Sequence, residues 1–182
     1  LHAPRGPGRR ASAMAPEGRP RPCVRSAAPR GSAAVRVLLQ RCAEASVRVG
    51  GEVVGAIDSG LLAFVGTTHD DDEPIARALA RKTAACRIFP DAEGRTNLAV
   101  GEAGGAVLVV SQFTLYADTR KGNRPSFVRS GDPDRARLLI AAFEDELRGA
   151  GLSVASGVFG ADMRVELVND GPFTVLLEKE GG

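Results

Sequence analysis

The sequence predicts an α+β fold: a mixed or mostly antiparallel β-sheet, curved or barrel-like, with two covering helices. Three observations predict it. Short runs of β-branched and apolar residues dominate the chain from residue 35 onward, several are joined by tight-turn signals such as Gly50-Gly51, and two stretches only carry the apolar spacing of a helix. No internal repeat interrupts this pattern.

The first strand is "VRVLLQRCAEASVRV", residues 35–49. It runs into Gly50-Gly51, a pair that accepts positive φ and marks a hairpin to "EVVGAI" at 52–57. "GLLAFVG" at 60–66 is an apolar run between glycines, the pattern of a strand buried on both faces. Asp72 ahead of Glu73-Pro74 caps a helix, and "IARALARKTAACRI", 75–88, sets Ile75, Leu79, Lys82 and Cys86 along one mainly apolar edge. "PDAEGR" at 90–95 is a turn, and "AVLVVSQFTL" at 106–115 is the most continuous strand signal in the chain. The second helix has Asp132-Pro133 as cap and first turn, then Leu139, Phe143 and Leu147 at four-residue spacing up to Gly149 and Gly151. Its opposite face carries Arg137, Glu144, Asp145 and Arg148. "LSVASGVF", "MRVELVND" and "FTVLLE" close the chain as strands.

The 182 residues divide into an N-terminal leader, 1–34, and a single domain, 35–182. The leader holds seven Arg, one Glu and six Pro and almost no large apolar residue, so it buries too little surface to offset chain entropy and is expected to be disordered. Its prolines oppose the amphipathic helix of a transit peptide, and it has no apolar core of a secretory signal. It is expected to be sequence translated upstream of the true start. The leader's net +6 against +2 for the whole chain leaves the remainder at −4, so the basic balance predicts no general RNA-binding surface, and any nucleic-acid contact must be local.

Cys23, Cys42 and Cys86 are odd in number and scattered, which fits neither a disulfide framework nor a metal-ligand spacing and implies a reducing, cytoplasmic setting. His69 is the one histidine after the leader, in the acidic loop "GTTHDDDEP". A Ser-His-acid triad and a His-rich metal site therefore lack their key residue, and no GxxxxGK[ST] phosphate loop is present. No cofactor is expected, and no run approaches the length of a membrane span.

Two stretches resist a purely structural account. In "SQFTL", Ser111, Gln112 and Thr114 end an apolar strand, where unpaired polar groups cost about 1–3 kcal/mol each if buried; they should line a pocket or its rim. In "VNDGPFTVLLE", Asn169-Asp170-Gly171-Pro172 is a turn signature directly ahead of a further strand. From Val35 onward the chain resembles the bacterial-type D-aminoacyl-tRNA deacylases: "VRVLLQR", "GEVVGAI", "RIF", "VLVVSQFTLYADTRKG", "RPSF", "FGADM" and "VNDGPFT" appear in that family's order. The departure is Phe173, where the family more often has Val.

The resemblance implies a site. Ser111, Gln112, Phe113 and Thr114 are expected to border a pocket for the 3′-terminal adenosine and its esterified aminoacyl group. Gly171-Pro172, followed by Phe173 and Thr174, is expected to be held cis and to reach into the active site of the other subunit of a homodimer. Rigid backbone there would accept a D-residue and leave an L side chain no room, while glycine would pass. Met163 matches the family's pocket methionine. Hydrolysis is expected to rely on main-chain N–H groups around Phe113 and Thr114 and on the substrate's 2′-OH, with Thr114 as nucleophile the lesser alternative because no base is evident. Arg120, Lys121 and Arg124, with Arg129 beyond, form the densest cationic cluster and are expected to meet the phosphates of a CCA end, with Phe113, Tyr116 and Phe127 as stacking candidates. The expected partners are aminoacyl-tRNA and a second copy of the chain, with no membrane and no DNA. Three rivals are a tRNA-end binding module without turnover, a serine esterase using Ser111, and the related deacylase type that clears misplaced L-alanine.

Overall fold

The computed structural model describes residues 34–180; all of the expected leader but Ala34 lies outside them. The first strand, β1 (Ala34–Val49), is 16 residues long. Val35, Val37 and Leu39 are buried at alternate positions; after irregularities between Gln40 and Glu44 the buried set shifts to Cys42, Ala45 and Val47. A strand that changes phase in this way bends, and the bend carries the sheet from one hydrophobic cluster into another.

Gly50 and Gly51 take φ of 60° and 94° and turn the chain into β2 (Glu52–Ile57), the expected hairpin. β3 (Gly60–Gly66) pairs antiparallel with β1, placing Leu39 opposite Ala63. As expected it is buried on both faces: Leu61, Ala63 and Val65 point to the helices, Leu62 to the inside of the curl. α1 (Glu73–Ala84) begins where Asp72 accepts the Ile75 N–H at 3.0 Å. Its buried face is Ile75, Ala76, Leu79, Ala80 and Thr83. Lys82 faces water instead, and the helix stops four residues short of the expected Ile88, because the chain leaves the helical path to seat Ile88 and Phe89 in the core. Two short strands, β4 (Phe89–Pro90) and β5 (Thr96–Leu98), make a hairpin around the expected turn.

β6 (Ala106–Ser111) runs parallel to β3, and β7 (Val154–Ser156) parallel to β6. The strand expected through Leu115 ends at Ser111, opposite Val65, where its partner runs out; Phe113–Tyr116 coils into a 3-10 turn that buries Tyr116. α2 (Pro133–Gly149), capped by Asp132, buries Leu139, Phe143 and Leu147 as expected, and its Glu146 pairs with Arg77 and Arg81 of α1 at 3.2 and 2.7 Å. β8 (Arg164–Glu180) is one strand along β1 where two were expected. Asn169 faces Cys42 and Thr174 faces Gln40, so residues 170–173 form a bulge on the sheet's edge. The sheet is mixed and nearly closed into a barrel. A Cβ at Gly55 of β2 would lie 2.6 Å from the Ser156 carbonyl of β7, so the near-closure needs glycine there. Among the described residues no helix is long and apolar enough to cross a membrane.

Candidate active site

β3 and β6 end side by side, and the Gln112 N–H donates to the Val65 carbonyl at 2.8 Å. Beyond those carboxyl ends, where parallel strands open a ligand-sized gap, lies a cavity of about 420 Å³. Ser111, Gln112 and Phe113 form one wall. Thr67 with Ser130 and Gly131 forms a second, and Ile140 of α2 with Phe159 closes the floor. A smaller hollow of about 210 Å³ continues from Ser111 and Phe159 toward Arg137 and Glu144. A shallower groove of about 500 Å³ lies along β1, β2 and β8, but Glu44, Asp58 and Glu166 line it and would repel a phosphate backbone; none of the expected site residues lines it.

The 3-10 turn carries the motif. The first amides of a helical turn have no carbonyl partner within it, and here these belong to Phe113 and Thr114; the next, Leu115 N–H, reaches the Gln112 carbonyl at 3.3 Å. The Gln112 amide donates to Thr114 Oγ1. Ser130 Oγ donates to the Phe113 carbonyl at 3.1 Å, and Arg36 Nη1 to the Leu115 carbonyl at 2.8 Å, so both sides of the turn are tied down. Arg36 also stacks over Tyr116 at 4.8 Å, and burial pushes the Tyr116 phenol up, so this hydroxyl stays neutral. Phe113 is 57 % exposed at the mouth and meets Phe127 edge-on with ring centres 5.1 Å apart.

The only described histidine, His69, is exposed and pairs through Nε2 with the Val128 carbonyl at 2.9 Å, not with a hydroxyl. Thr114's hydroxyl has an amide partner and, among the described residues, no base. Among the described residues no cluster of three or more His, Cys, Asp or Glu could hold a metal. What the site offers chemically is main-chain N–H groups at the edge of an apolar cavity, the equipment to stabilise an oxyanion on an already activated substrate.

Gly171 and Pro172 lie elsewhere on the chain. Their peptide bond is cis, both are exposed on the β8 bulge, and neither lines the cavity of its own chain. The bulge is held from inside. Asn169 Oδ1 accepts the Phe173 N–H at 2.8 Å, and Thr174 Oγ1 accepts from Asn169 and Gln40 at 3.2 Å each. Arg41, which sequence reasoning missed, pairs with the Asp170 carboxylate at 2.9 Å, donates to the Ile88 carbonyl at 2.6 Å and stacks on Phe173 at 5.0 Å. The signal for it was a polar pair, Gln40-Arg41, inside an apolar strand. Met163 does not line the cavity either; it packs against the second hydrophobic cluster beside Val165 and Leu167.

In the basic loop Asp118 and Ser126 exchange main-chain bonds of 2.8 and 2.9 Å. Arg120 is spent on Asp118, binding its two carboxylate oxygens, and holds that carboxyl well below the usual range. Among the described residues no ion pair involves the exposed Lys121, Arg124 or Arg129.

The model of a family described as D-Tyr-tRNA(Tyr) deacylase matches residues 38–178. A D-aminoacyl-tRNA deacylase of Anaeromyxobacter dehalogenans (strain 2CP-C) is 56 % identical over 144 residues, 79 % of this chain and 97 % of the relative. One of Thermus aquaticus is 51 % identical over 79 % of this chain and 95 % of its own. A solved structure described as a c-Myc DNA Unwinding Element Binding Protein superposes with a TM-score of 0.75 at 34 % identity, over 80 % of this chain and 99 % of that one. A probable eukaryotic D-amino acid tRNA deacylase shares the fold with a TM-score of 0.70 at 19 % identity, over 80 % and 100 %.

Proposed function

The chain belongs to the D-Tyr-tRNA(Tyr) deacylase family and is a hydrolase of D-aminoacyl-tRNA ester bonds; from that premise we propose how its cavity works. The 3′-terminal adenosine enters between Phe113 and Phe127, and the ester carbonyl lies against the amides of Phe113 and Thr114. Water adds to the carbonyl carbon with help from the neighbouring ribose 2′-OH. The tetrahedral oxyanion is held by the two amides, each such donor being worth about 2.7–4 kcal/mol. Collapse breaks the bond to the ribose oxygen and releases the D-amino acid and the tRNA. The observation that carries this reading is the Phe113–Tyr116 turn: Phe113 lines the cavity, Thr114 follows it, their amides have no carbonyl partner within the turn, and among the described residues no side-chain base accompanies the Ser111 or Thr114 hydroxyl.

Chirality is read by a second copy. Gly171 and Pro172 stand out on the β8 bulge away from their own cavity, so they serve a neighbouring chain's cavity in a homodimer, where main-chain oxygens hold the amino group and an L side chain collides. Glycine, with no side chain, passes the filter, including glycine mischarged on alanine tRNA. Lys121 and Arg124 attract the phosphates of the CCA end; Arg120, neutralised by Asp118, contributes less. The work is done in the cytoplasm, as proofreading of charged tRNA. The mechanism is tested with D-Tyr-tRNA ending in 2′-deoxyadenosine. Hydrolysis should fall by at least about 100-fold with binding retained; an unchanged rate would shift catalysis to a side chain, Thr114 first.

A further inference from the structure

The turn from β3 into α1 hides a carboxyl group that this chemistry does not use. Asp71 is 0 % exposed. The Thr68 N–H donates to its Oδ2 at 2.6 Å, whereas Oδ1 has no hydrogen-bond partner among the described residues. Arg135, from the first turn of α2, comes to the same residue but donates to its main-chain carbonyl, through Nε at 3.0 Å and Nη2 at 2.6 Å, and leaves the carboxylate half-paired. Asp70, Asp72 and Tyr116 lie close enough to act on it electrostatically, and burial, with the two like charges, pushes it up to about 6. A buried carboxyl in that condition destabilises the fold, so its presence points to something it holds.

What it holds is the second wall of the cavity. Thr68, gripped by Asp71, bridges to Ser130; the Gly131 N–H donates to the Thr67 carbonyl at 2.9 Å; and Ser130 Oγ donates to the Phe113 carbonyl. The Phe113 carbonyl shares one rigid peptide plane with the Thr114 N–H, so fixing the oxygen fixes the direction of that amide. We propose that Asp71 is a positioning residue for deacylation: by holding Thr68, and Ser130 through it, Asp71 aims the Phe113–Thr114 peptide at the reacting carbonyl. The inference rests on the cavity being the deacylation site.

The test is single-turnover hydrolysis of D-Tyr-tRNA, with tRNA affinity and melting temperature measured beside it. Asp71→Ala should lower the rate 10- to 100-fold with affinity within twofold. Asp71→Asn, which keeps an acceptor for Thr68, should stay within threefold of the natural chain. Ser130→Ala should lose about fivefold, and the double variant Asp71→Ala/Ser130→Ala should be no slower than Asp71→Ala alone, since both cut one relay. A full rate for Asp71→Ala, or losses that multiply in the double variant, overturns the proposal; should Asp71→Ala not fold, a full rate for Ser130→Ala overturns it. Phe113→Ala separates the two readings. If it too leaves binding and rate unchanged, the cavity is not the site; if it is impaired while Asp71→Ala is not, only the role of Asp71 fails.

Discussion

Gly171 illustrates how much one residue decides. Its φ of +123° lies where L side chains rarely go, and a Cβ would sit 3.1 Å from Arg41 Nη2, the guanidinium that steadies the bulge. Gly171→Ala should therefore cut D-Tyr-tRNA hydrolysis at least about tenfold, while the backbone strain, about 1–3 kcal/mol, lowers the melting temperature by about 2–12 °C and leaves the chain folded. Single-turnover rates and a thermal melt check both halves. The cations make a second residue-scale prediction. Lys121→Ala with Arg124→Ala should flatten the dependence of log affinity on log salt by about 1.4, two single-strand phosphate contacts, while Arg120→Ala should do less because Asp118 already neutralises that charge. Equal effects of Arg120 and Lys121 would contradict the assignment. The motif residues were legible in the sequence because their polarity broke an apolar pattern. Arg41 and Ser130 were not, since what they do depends on which carbonyl the fold brings to them; Asn169 was read as part of a turn, without its bond to the Phe173 N–H.

Among the elements, helices were the easiest to read. Asp72 and Asp132 announce both starts, and Leu139, Phe143 and Leu147 mark the buried stripe of α2. Strand ends were harder: β6 stops at Ser111, where β3 ceases to pair with it, and not at Leu115, through which a strand was expected. The continuity of β8 was hidden for a related reason: Asn169-Asp170-Gly171-Pro172 has turn chemistry, but β1 pairs on either side of it and makes the turn a bulge. The β3–α1 turn yields a pH prediction. Asp71 rises from 3.8 to about 6 in the folded state, so between those pH values the fold holds a proton that the unfolded chain has released. The associated stability is fully present below about pH 3.8 and is lost as pH rises through about 6, opposite to a salt-bridged carboxylate. Asp71→Asn should thus melt higher than the natural chain at pH 7.5, with the gain shrinking as pH falls toward 4. Asp70, Asp72 and Arg135 are common to both proteins, so the difference isolates this group. A gain independent of pH would place the buried charge elsewhere.

At the scale of the whole molecule, the fold separates a cavity at the ends of β3 and β6 from a bulge on β8, and the proposed site is complete only when two copies face each other. Co-expression of Gly171→Ala chains with Phe113→Ala chains should restore activity above that of either variant alone. A mixed dimer contains one intact cavity facing one intact bulge, which sets the expected recovery at about a quarter of the natural rate. No recovery would mean that each chain works unaided. The most direct measurement compares hydrolysis of D-Tyr-tRNA and L-Tyr-tRNA by the natural chain and by Gly171→Ala. Rapid loss of the D-ester alone, slowed or made less selective by the substitution, is the predicted result. Equal hydrolysis of both esters by the natural chain, or a rate and selectivity both undiminished in Gly171→Ala, would contradict a chiral filter built from this backbone.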